Sequence, residues 1–318
     1  MDTGPTRPTN GARMNLSQLY YFAKLSEMQH YANAAKELYI TQPSLSHAIK
    51  SLEAELGAPL FEREGRRMKL TPLGRAFAEH VKRGLREIDK GVALAQEYNG
   101  KLSGTVNIGA IYTVQGDYLP MLFRDYHAQY GQTVKFNLFQ GFSTPLVEAL
   151  ERDEYDVAFT AKVPNKPDLC FEHVVSHQLV AFVAPSNPIA HLKSVSLGDL
   201  RGRLVYTYRR GTPIGENVND ALEEFGVSAV QEYEDEISLG GMVQADPRAV
   251  GLATLSIGLK SFSDIVIIPI EDIPQDFHRI YMVYKRDAFR SRAVESFIEF
   301  TSDYVPPKGA IPSTGTFS

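Results

Sequence analysis

A change of rhythm near residue 100 constrains this chain more than any other feature. Before it, apolar side chains recur at helical spacing; after the polar segment Asn99-Gly100-Lys101-Leu102-Ser103-Gly104 they fall into short runs that alternate with helical stretches. A helical part followed by strand-helix alternation is two domains, and 318 residues give each room for its own core. In the second part, strands are expected at 105–111, 133–139, 155–161, 178–184, 203–208, 229–234, 249–254, 265–270 and 279–285. Helices are expected at 116–130, 144–153, 197–201, 214–226, 237–244 and 289–303. That alternation predicts α/β architecture with mostly parallel sheets, and so many strands point to two lobes.

The helical part divides further. Leu19, Phe22, Ala23 and Leu25 mark one helix over about 17–29, and Ala34, Ala35 and Leu38 a short second one from Tyr31. Tyr39-Ile40 makes a turn, Thr41 is a good N-cap and Pro43 fits the first turn of a third helix, whose buried stripe is Leu45, Ala48, Ile49 and Leu52. Gly57 ends it, and "PLFEREGRRMKLT" reads as two short strands around Glu64-Gly65. Thr71-Pro72 then opens a long helix with a stripe of Leu73, Phe77, Val81, Leu85, Ile88, Val92 and Ala95. Two readings of that stripe stand: a seam against a second subunit, or packing along its own domain.

Charge separates the two parts as well. Residues 1–90 carry 14 Lys/Arg against 10 Asp/Glu, whereas residues 91–318 carry 19 against 28, so a basic head precedes an acidic body. A helix, a tight turn and a polar-capped helix make a helix-turn-helix. Its second helix turns outward what the stripe leaves over: Thr41, Gln42, Ser44, Ser46, His47 and Lys50. Glutamine can bond adenine through two hydrogen bonds, serine bonds several base edges and lysine neutralises phosphate. Arg66, Arg67 and Lys69 fall at the tip of the hairpin that follows. From the residues alone, a DNA-reading face and a merely solvated one both remain open.

The stretch "AAKELYITQPSLSHAIKSLEAELGAPLFEREGRRMKLTPLG" resembles the winged helix-turn-helix of LysR-type transcriptional regulators, with "TQPSLSHAIKSLE", "LGAPLFER" and "LTPLG" in register. The resemblance runs from Met14 to about Tyr304 through "VNIGAI", "YDVAF", "LVAFVAPSNPIA", "LVYTYRRGT" and "VGLATL". It implies a winged helix-turn-helix at 14–71, a linker and dimerisation helix at 72–99, and a two-lobed, periplasmic-binding-protein-like α/β effector domain at 100–304. Lobe I would take about 105–175 and 265–304, and lobe II about 176–264, between a flexible leader (1–13) and a disordered tail (305–318). The partners it implies are double-stranded DNA with an interrupted palindrome, a small-molecule effector, and further copies of the chain as a dimer or dimer of dimers. Gln42 and Pro43 match base-contacting positions; Thr41, Ser44, Ser46, His47 and Lys50 match base or backbone contacts, and Arg66 and Arg67 the wing.

The resemblance also places effector contacts at Ala110, Ile111, Tyr112 and Thr113, at Ser143 and Thr144, at Phe159 and Thr160, and at Tyr208, Arg209 and Thr212. Hydroxyls beside helix N-termini suit a small anion, and Arg209 or Arg210 is placed to pair with a carboxylate. Three departures from the family pattern stand out. His47 occupies a position where arginine is frequent, and His30 one where a serine caps the second helix, so that its first turn is expected to fray. "QADPRAVGLATLS" replaces a glycine-rich segment of the second lobe.

Other chemistries find little in the chain. The single cysteine, Cys170, excludes an intrachain disulfide, and the eight histidines show no metal-ligand spacing. "EYEDE", Glu232 to Glu236, reads as a solvated strand end. Neither GxSxG, GxGxxG nor a P-loop occurs, so no enzyme activity and no cofactor is expected. No apolar run approaches 18 residues, so a cytoplasmic protein without a membrane partner is expected. The alternatives are a DNA-binding regulator without small-molecule control and a solute-binding protein; the latter would need a secretion signal and has no use for a basic head.

Overall fold

The computed structural model describes residues 14–64, 67–97, 102–307 and 309. The leader 1–13, most of the tail and Arg66 therefore lie outside the described residues. The chain forms two compact units, residues 1–92 and 93–318.

The first unit begins with α1 (Leu16–Met28), opened by a capping box in which Asn15 and Gln18 each bond the other's backbone N–H. The next helix, α2 (Tyr31–Glu37), does not fray as expected from the lack of a serine cap. His30 sits in extended backbone and its Nδ1 accepts the Asn33 N–H at 3.3 Å, so the imidazole does the work of a hydroxyl. In α3 (Gln42–Leu56), Thr41 caps the N-terminus by accepting the Ser44 N–H, and Gly57, at φ +71°, closes the C-terminus in the left-handed conformation. A hairpin follows, β1 (Phe61–Glu64) antiparallel to β2 (Arg67–Leu70). Glu53 of α3 fixes its base, one carboxylate oxygen accepting the N–H groups of Leu60 and Phe61 at 2.7 and 3.1 Å.

The long helix α4 (Pro72–Glu97) starts where Thr71 accepts the Gly74 N–H. Only glycine fits at 74, because a Cβ there would stand 2.0 Å from the Leu60 carbonyl oxygen. The apolar stripe of α4 splits between its two readings. Val81 and Leu85 are buried in one core with Phe22, Leu25, Leu45, Ile49, Leu52 and Leu60, whereas Leu73, Ile88 and Val92 are 49%, 40% and 51% exposed. Polar ties to α1 accompany the buried half: Lys82 pairs with Glu27 at 3.1 Å, and the Tyr20 hydroxyl donates to Asp89, an interaction that pushes its pKa up to about 12.

The second unit holds two five-stranded sheets. Its elements run β3 (Gly104–Ala110), α5 (Tyr112–Gln115), α6 (Tyr118–Tyr130), β4 (Val134–Gln140), α7 (Ser143–Glu151), β5 (Val157–Ala161), β6 (Leu169–His177) and β7 (Leu179–Val183). There follow β8 (Val205–Tyr208), α8 (Pro213–Glu224), β9 (Val230–Tyr233), α9 (Glu236–Ala245), β10 (Val250–Thr254), α10 (Ile257–Lys260), β11 (Val266–Pro269), β12 (His278–Lys285) and α11 (Arg292–Asp303). Lobe I is the sheet β4-β3-β5-β12-β6, and lobe II the sheet β11-β7-β10-β8-β9. The chain passes between lobes twice, from β6 to β7 through Gln178 and from β11 to β12.

Three expectations need correction. The sheets are mixed rather than mostly parallel: β12 runs antiparallel to β5 and β6, and β7 antiparallel to β10 and β11, because the strands that follow the crossings enter reversed. Residues 265–270 were expected in lobe I, but β11 pairs with β7 and belongs to lobe II. The nine-residue strand β6 had no counterpart in the sequence reading. It is an edge strand with only three buried positions, so "LCFEHVVSH" lacks the apolar run of its interior neighbours.

Candidate functional sites: a recognition helix and an inter-lobe cavity

On α3, Leu45, Ile49 and Leu52 are fully buried, and the opposite face is polar. Thr41, Gln42, Pro43, Ser44, His47 and Lys50 are exposed, while Ser46 and Ala48 are half-buried. Thr41 and Ser44 satisfy each other, their hydroxyls 2.8 Å apart. Gln42, His47 and Lys50 make no side-chain hydrogen bond or ion pair among the described residues, and thus keep their full capacity for a partner. Of the wing, Arg67 opens β2 opposite Glu64, and Arg66 lies outside the described residues.

The two sheets of the second unit enclose a cavity of about 540 Å³, within the usual range for small-molecule sites. Lobe I contributes Ile111, Tyr112 and Thr113 after β3, the segment Gln140–Ser143 between β4 and α7, and His278 at the start of β12. Lobe II contributes Tyr208, Thr212–Ile214 before and into α8, Glu234–Ser238 between β9 and α9, and Thr254 at the end of β10. Most of these lie where strands end and helices begin, the usual place for ligands in open α/β sheets.

A buried polar knot forms the lobe II wall. The Tyr208 hydroxyl donates to Glu236 Oε1 at 2.5 Å, Thr254 Oγ1 donates to the same oxygen at 2.6 Å, and the Thr254 N–H donates back to Tyr208 at 3.0 Å. Burial, reinforced by the Glu236 charge, holds the Tyr208 phenol far above its ordinary pKa, so it remains a donor. Burial and the charges of Glu236 and Asp235 likewise raise Tyr112 across the cavity. Burial, with His177 close by, pushes His278 down to about 3, so its imidazole is neutral at ordinary pH.

Of the effector positions transferred from the sequence, Ile111, Tyr112, Thr113, Ser143, Tyr208 and Thr212 line this cavity. Ala110, Phe159 and Thr160 do not; they are fully buried within lobe I, and the Thr160 hydroxyl donates to its neighbour's carbonyl at Ala161. Thr144 lies exposed on α7, off the cavity wall. Neither arginine stands ready for a carboxylate. Arg209 pairs with Glu234 at 2.9 Å, and Arg210 is held by Glu216, Asp220 and Glu223 at 2.7, 3.1 and 2.5 Å. Acidic side chains of β9's end and of α8 have taken both charges.

The sequence reading missed two groups. Glu236, assigned to a solvated strand end, is only 3% exposed. Asp235 beside it caps α9 by accepting the Ser238 N–H at 2.7 Å, and that Asp-x-x-Ser junction after a strand was the available signal. His278 had none, since the next wall residue along the chain, Thr254, lies more than twenty positions away.

Comparison with known proteins adds the decisive observation. Residues 16–75 match the family described as bacterial regulatory helix-turn-helix protein, lysR family, and residues 99–306 match the LysR substrate binding domain. The chain belongs to the LysR family. It is 31% identical over 294 residues to the transcriptional dual regulator GltC of Bacillus subtilis, covering 92% of this chain and 97% of that one. Its fold is similar to full-length CbnR complexed with its target DNA, at a TM-score of 0.69 and 22% identity over 91% of this chain and 99% of that one. The effector-binding domain of QuiR in complex with shikimate resembles it at a TM-score of 0.57 and 21% identity, over 63% of this chain and 95% of that one. This LysR-type chain is thus a transcriptional regulator, with a helix-turn-helix DNA-binding domain and an effector-binding domain. Among the described residues no helix is long and apolar enough to cross a membrane.

Proposed function

We propose that this regulator reads duplex DNA in the cytoplasm, without catalysing a reaction, through the outward face of α3. Gln42, Ser46, His47 and Lys50 face base edges and phosphates in the major groove; Thr41, Pro43 and Ser44 set the helix N-terminus against the backbone, and Arg66 and Arg67 extend the contact from the hairpin. The observation that carries this reading is the division of one helix into a buried apolar face and an opposite face whose Gln42, His47 and Lys50 have no side-chain partner among the described residues. Residues 14–71 form the DNA-binding part, 72–99 the linker and 100–304 the effector part. An effector in the inter-lobe cavity touches Ile111, Tyr112, Thr113 and Ser143 on one side and Tyr208 and Thr212 on the other. By favouring one lobe arrangement it shifts the assembly between DNA-binding states.

Fluorescence anisotropy on the DNA upstream of the chain's own gene tests the first half. Wild type binds specifically, and Gln42→Ala loses about 1–3 kcal/mol of that specificity. Equal affinities for both proteins would remove α3 from the base-reading role.

The exposed half of the α4 stripe supports a subunit seam. Ile88 and Val92 together, changed to Asp, are expected to dissociate the oligomer in sedimentation while the head stays folded. Leu85 lies outside that seam: it is 5% exposed within the core of the head, and Leu85→Asp would unfold the head instead. An oligomer intact after the Ile88/Val92 change places the seam elsewhere.

A further inference from the structure

The cavity walls of the two lobes are chemically opposite. Lobe II presents acid: Glu236 is 3% exposed, both of its side-chain hydrogen bonds fall on Oε1, and Oε2 is left for the cavity that the residue lines. Asp235 adds charge at the same edge, Glu234 is matched by Arg209, and Arg210 is occupied by the carboxylates of α8, so neither arginine is left over for a ligand. The positive end of α9 is already met by its own Asp235 cap and Glu236, so this wall offers an anion nothing.

Lobe I presents donors. His278 is 3% exposed, lines the cavity, and neither of its ring nitrogens has a hydrogen-bond partner among the described residues. A ring that lines a cavity and receives no hydrogen bond from the fold keeps its donor and its acceptor for a ligand there. Beside it on the cavity wall is the N-terminus of α7. Helices α8 and α9 are capped by Thr212 and Asp235, but the N-cap of α7 is Phe142, which supplies no side-chain bond. Pro145 has no N–H, so the Ser143 and Thr144 N–H groups and the positive end of the helix dipole are what an acceptor can meet there.

We infer that the effector is a small zwitterion of the α-amino-acid type, its ammonium held by lobe II at Glu236 and its carboxylate by lobe I at His278 and the α7 N-terminus. The inference rests on reading the cavity as the effector site, and reverses the anionic effector expected from the sequence. That expectation rested on hydroxyls beside helix N-termini and on Arg209 or Arg210; the α7 N-terminus keeps its part for the carboxylate, and both arginines are spent on intramolecular pairs. A plain anion would meet the carboxylates of Asp235 and Glu236 on the lobe II wall, and a plain amine would leave the α7 end unanswered. Because the two charges of a zwitterion engage different lobes, the ligand bridges them, which gives it differential affinity for one lobe arrangement.

Calorimetric titration of the full-length protein with matched probes tests this: each proteinogenic L-α-amino acid, its deaminated 2-oxo acid and its decarboxylated amine. At least one amino acid is expected to bind about tenfold or more tightly than both of its counterparts. Glu236→Gln should weaken that amino acid about 10- to 100-fold, the range for losing a hydrogen bond between charged groups, while leaving its 2-oxo acid unaffected. His278→Phe should weaken the amino acid and leave the amine unaffected. The three-probe comparison on wild type is decisive even where a variant fails to fold. A 2-oxo acid that binds more tightly than every amino acid, or amino acids that do not bind at all, overturns the zwitterion. Binding of an amino acid that neither substitution changes also overturns it. Cavity binding that leaves operator affinity unmoved would instead keep the ligand class and remove its role as effector.

Discussion

Gln42 on α3 stands in solvent with no side-chain partner among the described residues, whereas Glu236 in the inter-lobe cavity is 3% exposed and tied to Tyr208 and Thr254. Both polar groups are placed for recognition, but folding treats them differently. A side chain on the outer face of a helix keeps its water until a partner arrives, so stability does not constrain which polar residue sits there. A carboxylate inside a cavity must be bonded by the fold itself, since an unpaired buried charge costs several kcal/mol. Substitutions on α3 should accordingly separate folding from binding by face, while substitutions in the cavity should disturb both together.

The comparison breaks hardest on the inner face of α3. Leu45→Ala removes a fully buried side chain from the first unit's core and is expected to cost about 2–5 kcal/mol in urea unfolding, with DNA affinity lost through the fold. A loss below 1 kcal/mol would mean that this face is not the structural one. In the cavity, Tyr208→Phe strips a donor from Glu236 and an acceptor from the Thr254 N–H, at about 1–3 kcal/mol. That change should lower stability and ligand affinity together. If stability alone fell, Tyr208 would be scaffold and not wall.

Gln42→Ala makes the opposite case: the 1–3 kcal/mol expected from specific DNA binding should leave the urea midpoint within about 0.5 kcal/mol of wild type. A fall in stability would show that Gln42 contributes to the head itself, and the separation of faces on α3 would fail.

The same contrast explains what the sequence disclosed. The helix-turn-helix is local: Thr41, Pro43, the Leu45–Ile49–Leu52 stripe and Gly57 lie within seventeen residues, and period and caps together place every side chain on a face. The cavity is assembled from seven separate stretches of chain between Ile111 and His278. Strand ends were legible, so Thr113, Ser143, Tyr208 and Thr212 were placed near it. What each stretch would meet across the lobes was not. Arg209 and Arg210 have the right chemistry for a carboxylate ligand, yet Glu234 and the acidic face of α8 reach them first. His278 became a wall residue only because β12 enters lobe I reversed, between β5 and β6, a pairing that no single segment encodes.

His278 also gives the smallest and most specific test of the comparison, through pH. Burial and the neighbouring His177 put its folded-state pKa at about 3, below the ordinary histidine value of 6.5. As pH falls below 6.5 the unfolded chain takes up this proton and the folded chain does not, so the neutral imidazole's contribution is complete above 6.5 and drains away between 6.5 and 3. The slope is about 1.4 kcal/mol per pH unit for one proton, so roughly that much stability should be lost between pH 7.5 and 5.5. The other ionisable groups of the chain shape the same curve. They remain in His278→Gln, which lacks only the one titration. The stability lost between pH 7.5 and 5.5, read from urea unfolding, should therefore be smaller by about 1.4 kcal/mol in the variant than in wild type. Identical pH dependence in both would mean that the folded chain takes up this proton as readily as the unfolded one, so that the imidazole is charged below pH 6.5. It would then face Glu236 across the cavity as a cation, and the lobe I wall would no longer be neutral.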